Sequence, residues 1–331
     1  MVNNWVITGG CGFIGTSLIA KILHFNPKSN IIVLDNLSVG SREDLSEVCN
    51  FTECTLEDKV GVNGVSLIVS DILDAKACQL LTESSDCIVH LAANTGVGPS
   101  VENPRMDMEA NVIGTFNLLE GARINGIKKF IFASSGAPAG VVEPPIHEEL
   151  APHPVSPYGA SKLAGEGYCS AFFQTFGVNT IALRFGNVYG PRSKNKSSVV
   201  AKFIQQALKN VECQVYGDGS QTRDFIYIDD LIEAILKASE CNYGGETYQV
   251  ATGSELSLNQ LLAVLRPVFE EITGQSMKIA FGEKRLGDVM RNYSDTSKAL
   301  SHLGWSSSTS LKDGLAKTVT SLLRDNHNNI A

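Results

Sequence analysis

Two side chains in the segment Pro157-Tyr-Gly-Ala-Ser-Lys162 could do acid–base chemistry together, because Tyr158 and Lys162 stand at i and i+4. On a helix that spacing puts both on one face, a turn apart. A phenol with a pKa of about 10 is a poor base at neutral pH, whereas an adjacent ammonium and a positively charged nicotinamide ring both favour the phenolate. Tyr158 could then take the proton of a substrate hydroxyl as a hydride leaves the same carbon. The spacing recurs by chance in many proteins, so its meaning depends on what surrounds it. Here Ser134 and Ser135 stand upstream, closing the apolar run Lys129-Phe-Ile-Phe-Ala.

A partner for that chemistry is written into the first residues. Thr8-Gly-Gly-Cys-Gly-Phe-Ile-Gly15 follows the short apolar run Trp5-Val-Ile and opens a helical pattern, the context a dinucleotide-binding loop requires. Glycines let the chain turn tightly and bring backbone N–H groups to a pyrophosphate at the positive end of a helix. Asp35 closes the next apolar run, twenty residues beyond Gly15. A carboxylate there can accept hydrogen bonds from the adenosine ribose and repel the 2′-phosphate of NADP, so NAD is the expected cofactor.

The elements that must position these residues alternate through the first half of the chain. Trp5–Thr8, Ile31–Asp35, Ser66–Val69, Cys87–Leu91, Lys129–Ala133 and Val178–Arg184 read as strands, separated by helical patterns. Such βα repetition predicts an α/β fold with a doubly wound parallel sheet, and runs apolar at nearly every position suit strands covered on both faces. After Asn187 the pattern changes, with Gly, Pro, Ser and Lys crowding residues 190–198. The expected division is a Rossmann domain over 1–185 and a smaller α/β substrate-binding region over 186–331, with 225–251 packing back on the first. Helices are expected at Ser198–Lys209, Leu258–Thr273 and Leu311–Asn326.

Composition narrows the class further. The formal charge of −8, with only 27 Lys and Arg, disfavours a nucleic-acid backbone as partner. No apolar run approaches the roughly 20 residues of a membrane span, and no charged leader precedes an apolar run at the start, so a cytoplasmic protein is expected. The eight cysteines, at 11, 49, 54, 78, 87, 169, 213 and 241, show no CxxC or Cys/His ligand spacing. Reduced thiols and no metal site are expected.

Taken in order, these segments resemble the extended short-chain dehydrogenase family. The spacing of Gly9, Gly12 and Gly15 matches its loop, Asp71-Ile72 resembles the pair flanking the adenine, His90-Leu-Ala-Ala93 its fourth-strand motif, and Asn111-Val-Ile-Gly-Thr115 its central helix motif. The resemblance implies cofactor contacts from Gly9, Gly12, Phe13, Ile14, Gly15, Asp35, Asn36, Ser38, Gly40, Asp71, Ile72, Leu91, Ala92, Ala93, Asn111, Ser134, Tyr158 and Lys162. It also implies that Ser135 binds the reacting hydroxyl and relays its proton, completing a catalytic set with Tyr158 and Lys162. In Gly136-Ala-Pro-Ala-Gly140 the aromatic residue usual before the last glycine is replaced by Ala139, which could open the pocket floor.

The same resemblance assigns the far half to a nucleotide-sugar. It implies substrate contacts from Thr95, Ser135, Asn187, Ser198, Val199, Tyr216, Arg223, Arg285, Asp288 and Asn292, with the two arginines on a diphosphate. Within the family the pattern most resembles the UDP-hexose 4-epimerases. Dehydratases place an Asp-Glu pair just after the Ser or Thr, and no carboxylate lies between Ser135 and Val142. Asn292, four residues past Asp288, occupies a position that resembles a gate beside the sugar 2-substituent. The expected function is C4 epimerisation of a UDP-hexose or UDP-N-acetylhexosamine by a homodimer, paired through helices near 106–125 and 158–176.

Overall fold

A computed structural model describes residues 2–57, 64–83, 85–194, 198–284 and 289–328. Seven strands run through the first half: β1 (Asn4–Thr8), β2 (Asn30–Asp35), β3 (Phe51–Glu53), β4 (Val65–Val69), β5 (Cys87–His90), β6 (Lys129–Ser135) and β7 (Thr180–Phe185). Between them lie α1 (Phe13–Phe25), α2 (Arg42–Ser46), α3 (Ala75–Leu81), α4 (Val97–Glu102), α5 (Pro104–Met108), a π-helical turn at Glu109–Ile113, α6 (Gly114–Ile124) and α7 (Pro157–Phe176). The second half adds β8 (Asn187–Tyr189), α8 (Val199–Leu208), β9 (Cys213–Tyr216), β10 (Thr222–Arg223), β11 (Phe225–Tyr227), α9 (Ile228–Glu240) and β12 (Glu246–Val250). It closes with β13 (Leu256–Ser257), α10 (Leu258–Thr273), β14 (Ile279–Gly282), α11 (Ser297–Leu303) and α12 (Leu311–Asn328).

Eight strands form one parallel sheet in the order β12-β7-β6-β5-β1-β2-β4-β3. The strands are apolar at successive positions because both faces are covered. In β1, Val6 belongs to the core on one side and Ile7 to the core on the other, and Ile88 and Val89 divide the same way in β5. This is the doubly wound Rossmann arrangement. Its strand order reverses between β1 and β5, and the crevice at their carboxyl ends is where such sheets bind ligands.

The strands read from sequence all occur, with ends shifted by no more than two residues; β3 was not read, being three residues long and mostly exposed. After β11 the chain returns to the sheet, since α9 packs against α1 and β12 pairs with β7. Outside the sheet, β14 pairs with β9, β11 with β8 and β10 with β13, which builds the smaller second layer beside the crevice. Asp230 on α9 fastens the C-terminal region to that returning helix, accepting from the hydroxyls of Ser308 and Thr309 and from the Thr309 N–H.

One buried ion pair ties α7 to the sheet. The Arg184 guanidinium on β7 meets both carboxylate oxygens of Glu166 on α7, at 2.8 and 2.7 Å, and the Ser134 hydroxyl donates to the same carboxylate at 2.5 Å. Removing one partner of such a pair strands the other charge in the interior. Glu166→Ala is therefore expected to destabilise the fold by about 3–5 kcal/mol, read by denaturant unfolding. A loss below about 1 kcal/mol, the range of exposed pairs, would contradict a structural role for this contact.

Candidate active site

The loop after β1 is shaped by close backbone approach. Gly9 has φ +68, and a Cβ there would lie 2.8 Å from the Ala92 nitrogen; a Cβ on Gly15 would lie 2.4 Å from the Gly9 oxygen. Both positions exclude a side chain, which lets α1 start directly under the turn. No side chain caps α1 at Gly12. Its first turn therefore presents backbone N–H groups and the positive end of the dipole to the crevice.

Asp35, at the end of β2, accepts from the backbone N–H of Cys11 at 2.9 Å and of Leu37 at 2.8 Å. Burial pushes its carboxyl up from the ordinary value, and those two donors pull it back. The loop that follows exposes Asn36 and Ser38 and buries Gly40 against the Cys11 carbonyl. Asn36 donates to Asp71 at 2.8 Å, joining the ends of β2 and β4. Ile72 turns inward beneath Gly114.

On the other side of β1, a chain of hydroxyls fixes residues 91–93. The Ala92 N–H donates to Thr8 Oγ1, which lies 2.7 Å from His90 Nδ1, while Nε2 lies 2.9 Å from Thr115 Oγ1. Thr115 spends its proton on the Asn111 carbonyl. It must then accept from His90, which makes the imidazole Nε2-protonated and Nδ1 the acceptor of the Thr8 hydroxyl. Burial, helped by the Lys162 charge, holds His90 down at about 3, so the ring is neutral as this chain of bonds requires.

Tyr158, Lys162 and Glu166 follow one face of α7, and Ser156 caps its start by accepting from the Gly159 N–H. Lys162 donates to the Ala133 carbonyl at 2.9 Å, and burial lowers its ammonium to about 8 against the pull of Asp107 and Glu166. Burial also raises the Tyr158 phenol, with the neighbouring Ser135 hydroxyl acting the other way. The protein alone thus keeps Tyr158 protonated; the expected phenolate needs the positive nicotinamide ring as well as Lys162. The cause is desolvation, which penalises the charged form of both groups.

Some of the expected cofactor residues are buried and bonded to protein partners. Asn111 is 1% exposed, and its amide is taken up by Asn94, Asp107 and Ser161. It supports the 91–95 loop through both backbone groups of Asn94. Ser134 is likewise buried on Glu166. Ala139, also 1% exposed, opens no pocket floor, because the turn at 137–139 folds inward and its carbonyl accepts from the His153 N–H. Ser135 remains half-buried and Thr95 exposed.

A cleft of about 250 Å³ between β8, α8 and β9 is lined by Asn187, Ser198, Val199, Tyr216 and Arg223, gathering five expected residues from four segments. The Ser198 hydroxyl, buried at the start of α8, has no partner among the described residues. Arg223 is braced by the carbonyls of Thr222 and Val289, both at 2.7 Å. Asn292 is half-buried nearby, its N–H on the Thr222 hydroxyl. Arg285 and Asp288 lie outside the described residues. Lys202, which is not among the expected residues, also lines the cleft one turn after Ser198, with its ammonium 6.0 Å from the Tyr216 ring centroid.

The model of the NAD dependent epimerase/dehydratase family matches residues 5–251. The chain belongs to that family. Among solved structures, the UDP-glucose 4-epimerase of Thermotoga maritima, crystallised with UDP-glucose, is 34% identical with a TM-score of 0.86, covering 98% of this chain and 99% of that one. A UDP-N-acetylglucosamine 4-epimerase from Methanobrevibacter ruminantium, bound to UDP-N-acetylmuramic acid, is 29% identical with a TM-score of 0.87 over 98% and 99%. The UDP-glucose 4-epimerase of Thermus thermophilus in complex with NAD is 32% identical with a TM-score of 0.82 over 96% and 98%.

NAD is the cofactor, and the residues present fit it. The glycine turn leaves room for a pyrophosphate against α1, and Asp35 stands where an adenosine ribose would need an acceptor. Asp35→Ala is expected to weaken NAD binding and relax discrimination against NADP, because it removes an acceptor and a repelling charge together. Titration with both dinucleotides checks this; an unchanged NAD/NADP affinity ratio would count against the role.

Proposed function

We propose that this chain epimerises C4 of a UDP-hexose or UDP-N-acetylhexosamine through a transient 4-keto sugar. The observation that carries the reading is the chemistry around the phenol. Tyr158 and Ser135 share the site with a turn of Gly136, Ala137, Pro138 and Ala139, which offers no acid or base. The nearest downstream carboxylate, Glu143, is exposed and paired with Arg291. Elimination of water would need a positioned carboxylate there, whereas epimerisation needs only the phenol. The structural relatives named as UDP-glucose and UDP-N-acetylglucosamine 4-epimerases support the same reading.

In this proposal Tyr158 takes the O4 proton and later returns it, with Ser135 bridging the hydroxyl and the phenol. Lys162 holds a positive charge beneath them. NAD, when bound, supplies reversible acceptance of the C4 hydride. Asn187, Ser198, Val199, Tyr216, Arg223, Arg285 and Asp288 hold the UDP, the arginine forks matching diphosphate oxygens bidentately. Anchoring at the nucleotide leaves the keto sugar free to present its other face, so C4 is inverted without net oxidation. Thr95 lies on the sugar side.

The partner and compartment follow as parts of the proposal. Met106, Ile113, Phe116, Tyr168 and Phe176 form an exposed apolar face across α5, the π turn, α6 and α7, suited to a self-paired helical interface in a homodimer. Free thiols at all eight cysteines fit the reducing cytoplasm, and among the described residues no helix is long and apolar enough to cross a membrane.

The test is incubation of the protein with UDP-glucose, UDP-N-acetylglucosamine and UDP-glucuronate without added reductant, with products resolved by NMR. The C4 epimer of at least one hexose is expected. Tyr158→Phe should lower turnover at least about 10²-fold while leaving NAD binding nearly intact; near-normal turnover would remove Tyr158 as the base.

Asn292 would set the choice of sugar. It is small enough to leave room for an acetamido group and can hydrogen-bond to it. Asn292→Tyr is expected to lower activity on UDP-N-acetylglucosamine while sparing UDP-glucose, because overlap penalises only one substrate. Equal losses on both would sink the gate.

A further inference from the structure

Four charged side chains are buried on α5, α7 and β7: Asp107 (0% exposed), Lys162 (3%), Glu166 (6%) and Arg184 (5%). Glu166 and Arg184 neutralise each other through two short hydrogen bonds. Asp107 and Lys162 remain, a carboxylate and an ammonium on helices that pack directly together.

Asp107 is satisfied unlike the other buried aspartates. Asp224 accepts from the N–H groups of Thr252, Gly253 and Ser294 and the Thr252 hydroxyl, and Asp230 from three donors on Ser308 and Thr309. On Asp107, Oδ1 accepts the amides of Asn111 at 3.0 Å and Asn94 at 3.5 Å, while Oδ2 has no partner among the described residues. A fully buried carboxylate with an orphan oxygen is expensive unless something else compensates its charge.

The same atoms lead into the catalytic helix. Asn111 Nδ2, bonded to Asp107, also reaches Ser161 Oγ at 3.1 Å and the Asn94 carbonyl at 2.9 Å, and its Oδ1 accepts the Asn94 N–H. Ser161 precedes Lys162, and Asn94 precedes Thr95. We propose that Asp107 is a positioning residue of this site: the buried counter-charge to Lys162 and, through Asn111, the strut fixing the 91–95 loop against α7. The proposal rests on the reading of Tyr158 and Lys162 as the reacting pair.

The electrostatics agree in sign. Groups facing Lys162 are Asp107 from α5, Glu166 and Cys169 from its own helix, and neutral His90 from β5. Asp107 is the largest of those opposing the burial of the ammonium, and it also raises the Tyr158 phenol. Removing its charge should let both groups lose their protons at lower pH.

The experiment is Asp107→Asn, which keeps shape and removes charge, assayed for 4-epimerisation across pH. If activity needs an ionised phenol and a charged lysine, both limbs of the profile move toward lower pH, by about one unit. A profile lowered at every pH but unmoved would overturn the counter-charge.

A second measurement does not depend on the reaction. Unfolding of wild type, Asp107→Asn, Lys162→Met and the double variant forms a cycle, in which the double variant is expected to be more stable than additivity predicts by at least about threefold in the unfolding constant. Additive effects would overturn the proposal. If Asp107→Asn alone fails to fold, recovery of folding in the double variant supports the pairing, and continued failure overturns it. Absence of epimerase activity in wild type would instead sink the proposed function and leave the cycle to decide on Asp107.

Discussion

The site depends first on how closely α1 approaches the end of β1. With a Cβ at Gly15 only 2.4 Å from the Gly9 oxygen, and one at Gly9 2.8 Å from Ala92, the turn is closed to side chains from both directions. That closeness points the amino end of α1 into the crevice between β1 and β5. It also brings residues 91–93 against the turn, where Thr8 and His90 hold them. Asp35 binds the same turn from the β2 side through the Cys11 N–H. One steric constraint thus sets the positions of three neighbouring strand ends.

The second constraint is the register of α7. Residues four apart share a face, so fixing Glu166 on Arg184 fixes Lys162 one turn earlier and Tyr158 two turns earlier. The ion pair lies deep and the phenol lies at the rim, so α7 carries position outward from the sheet. The Ser156 cap stops the helix where the chain enters from the 137–154 segment. The precision needed at the phenol is provided by contacts that never meet a substrate.

Much of this was legible in the sequence because it is periodic or steric. Strands buried on both faces read as unbroken apolar runs, and the helix at Leu258–Thr273 was read to the residue, bounded by Ser257 as cap and Gly274 in the left-handed region. What was missed lacks such signals. β3 has three residues at a sheet edge, and nothing in Phe51-Thr-Glu separates it from a loop. Asp107, Glu166 and Arg184 are charged, and charge in a sequence suggests surface, whereas all three are buried. Motif order assigns Asn111 and Ser134 to the cofactor, but a motif does not reveal which way a side chain turns. Here both turn inward onto carboxyl groups.

The buried charges also explain why the reacting pair needs a carboxylate in reserve. Burial drives Lys162 down to about 8, close enough to neutral pH that a slightly drier site would begin to discharge it. A neutral lysine would hold no positive charge beneath the phenol. A carboxylate in direct contact with the phenol would secure the lysine but also raise the energy of the phenolate by like-charge repulsion. Asp107 is bonded instead to the Asn111 amide, which also reaches Ser161 on α7. Some penalty remains, because Asp107 still raises Tyr158, but it ranks below burial and the Ser135 hydroxyl among the influences on the phenol, whereas it ranks first among the charges supporting the lysine. One carboxylate thus has unequal effects on two neighbours: it leads the charges that hold the ammonium and stands behind the Ser135 hydroxyl in its effect on the phenol.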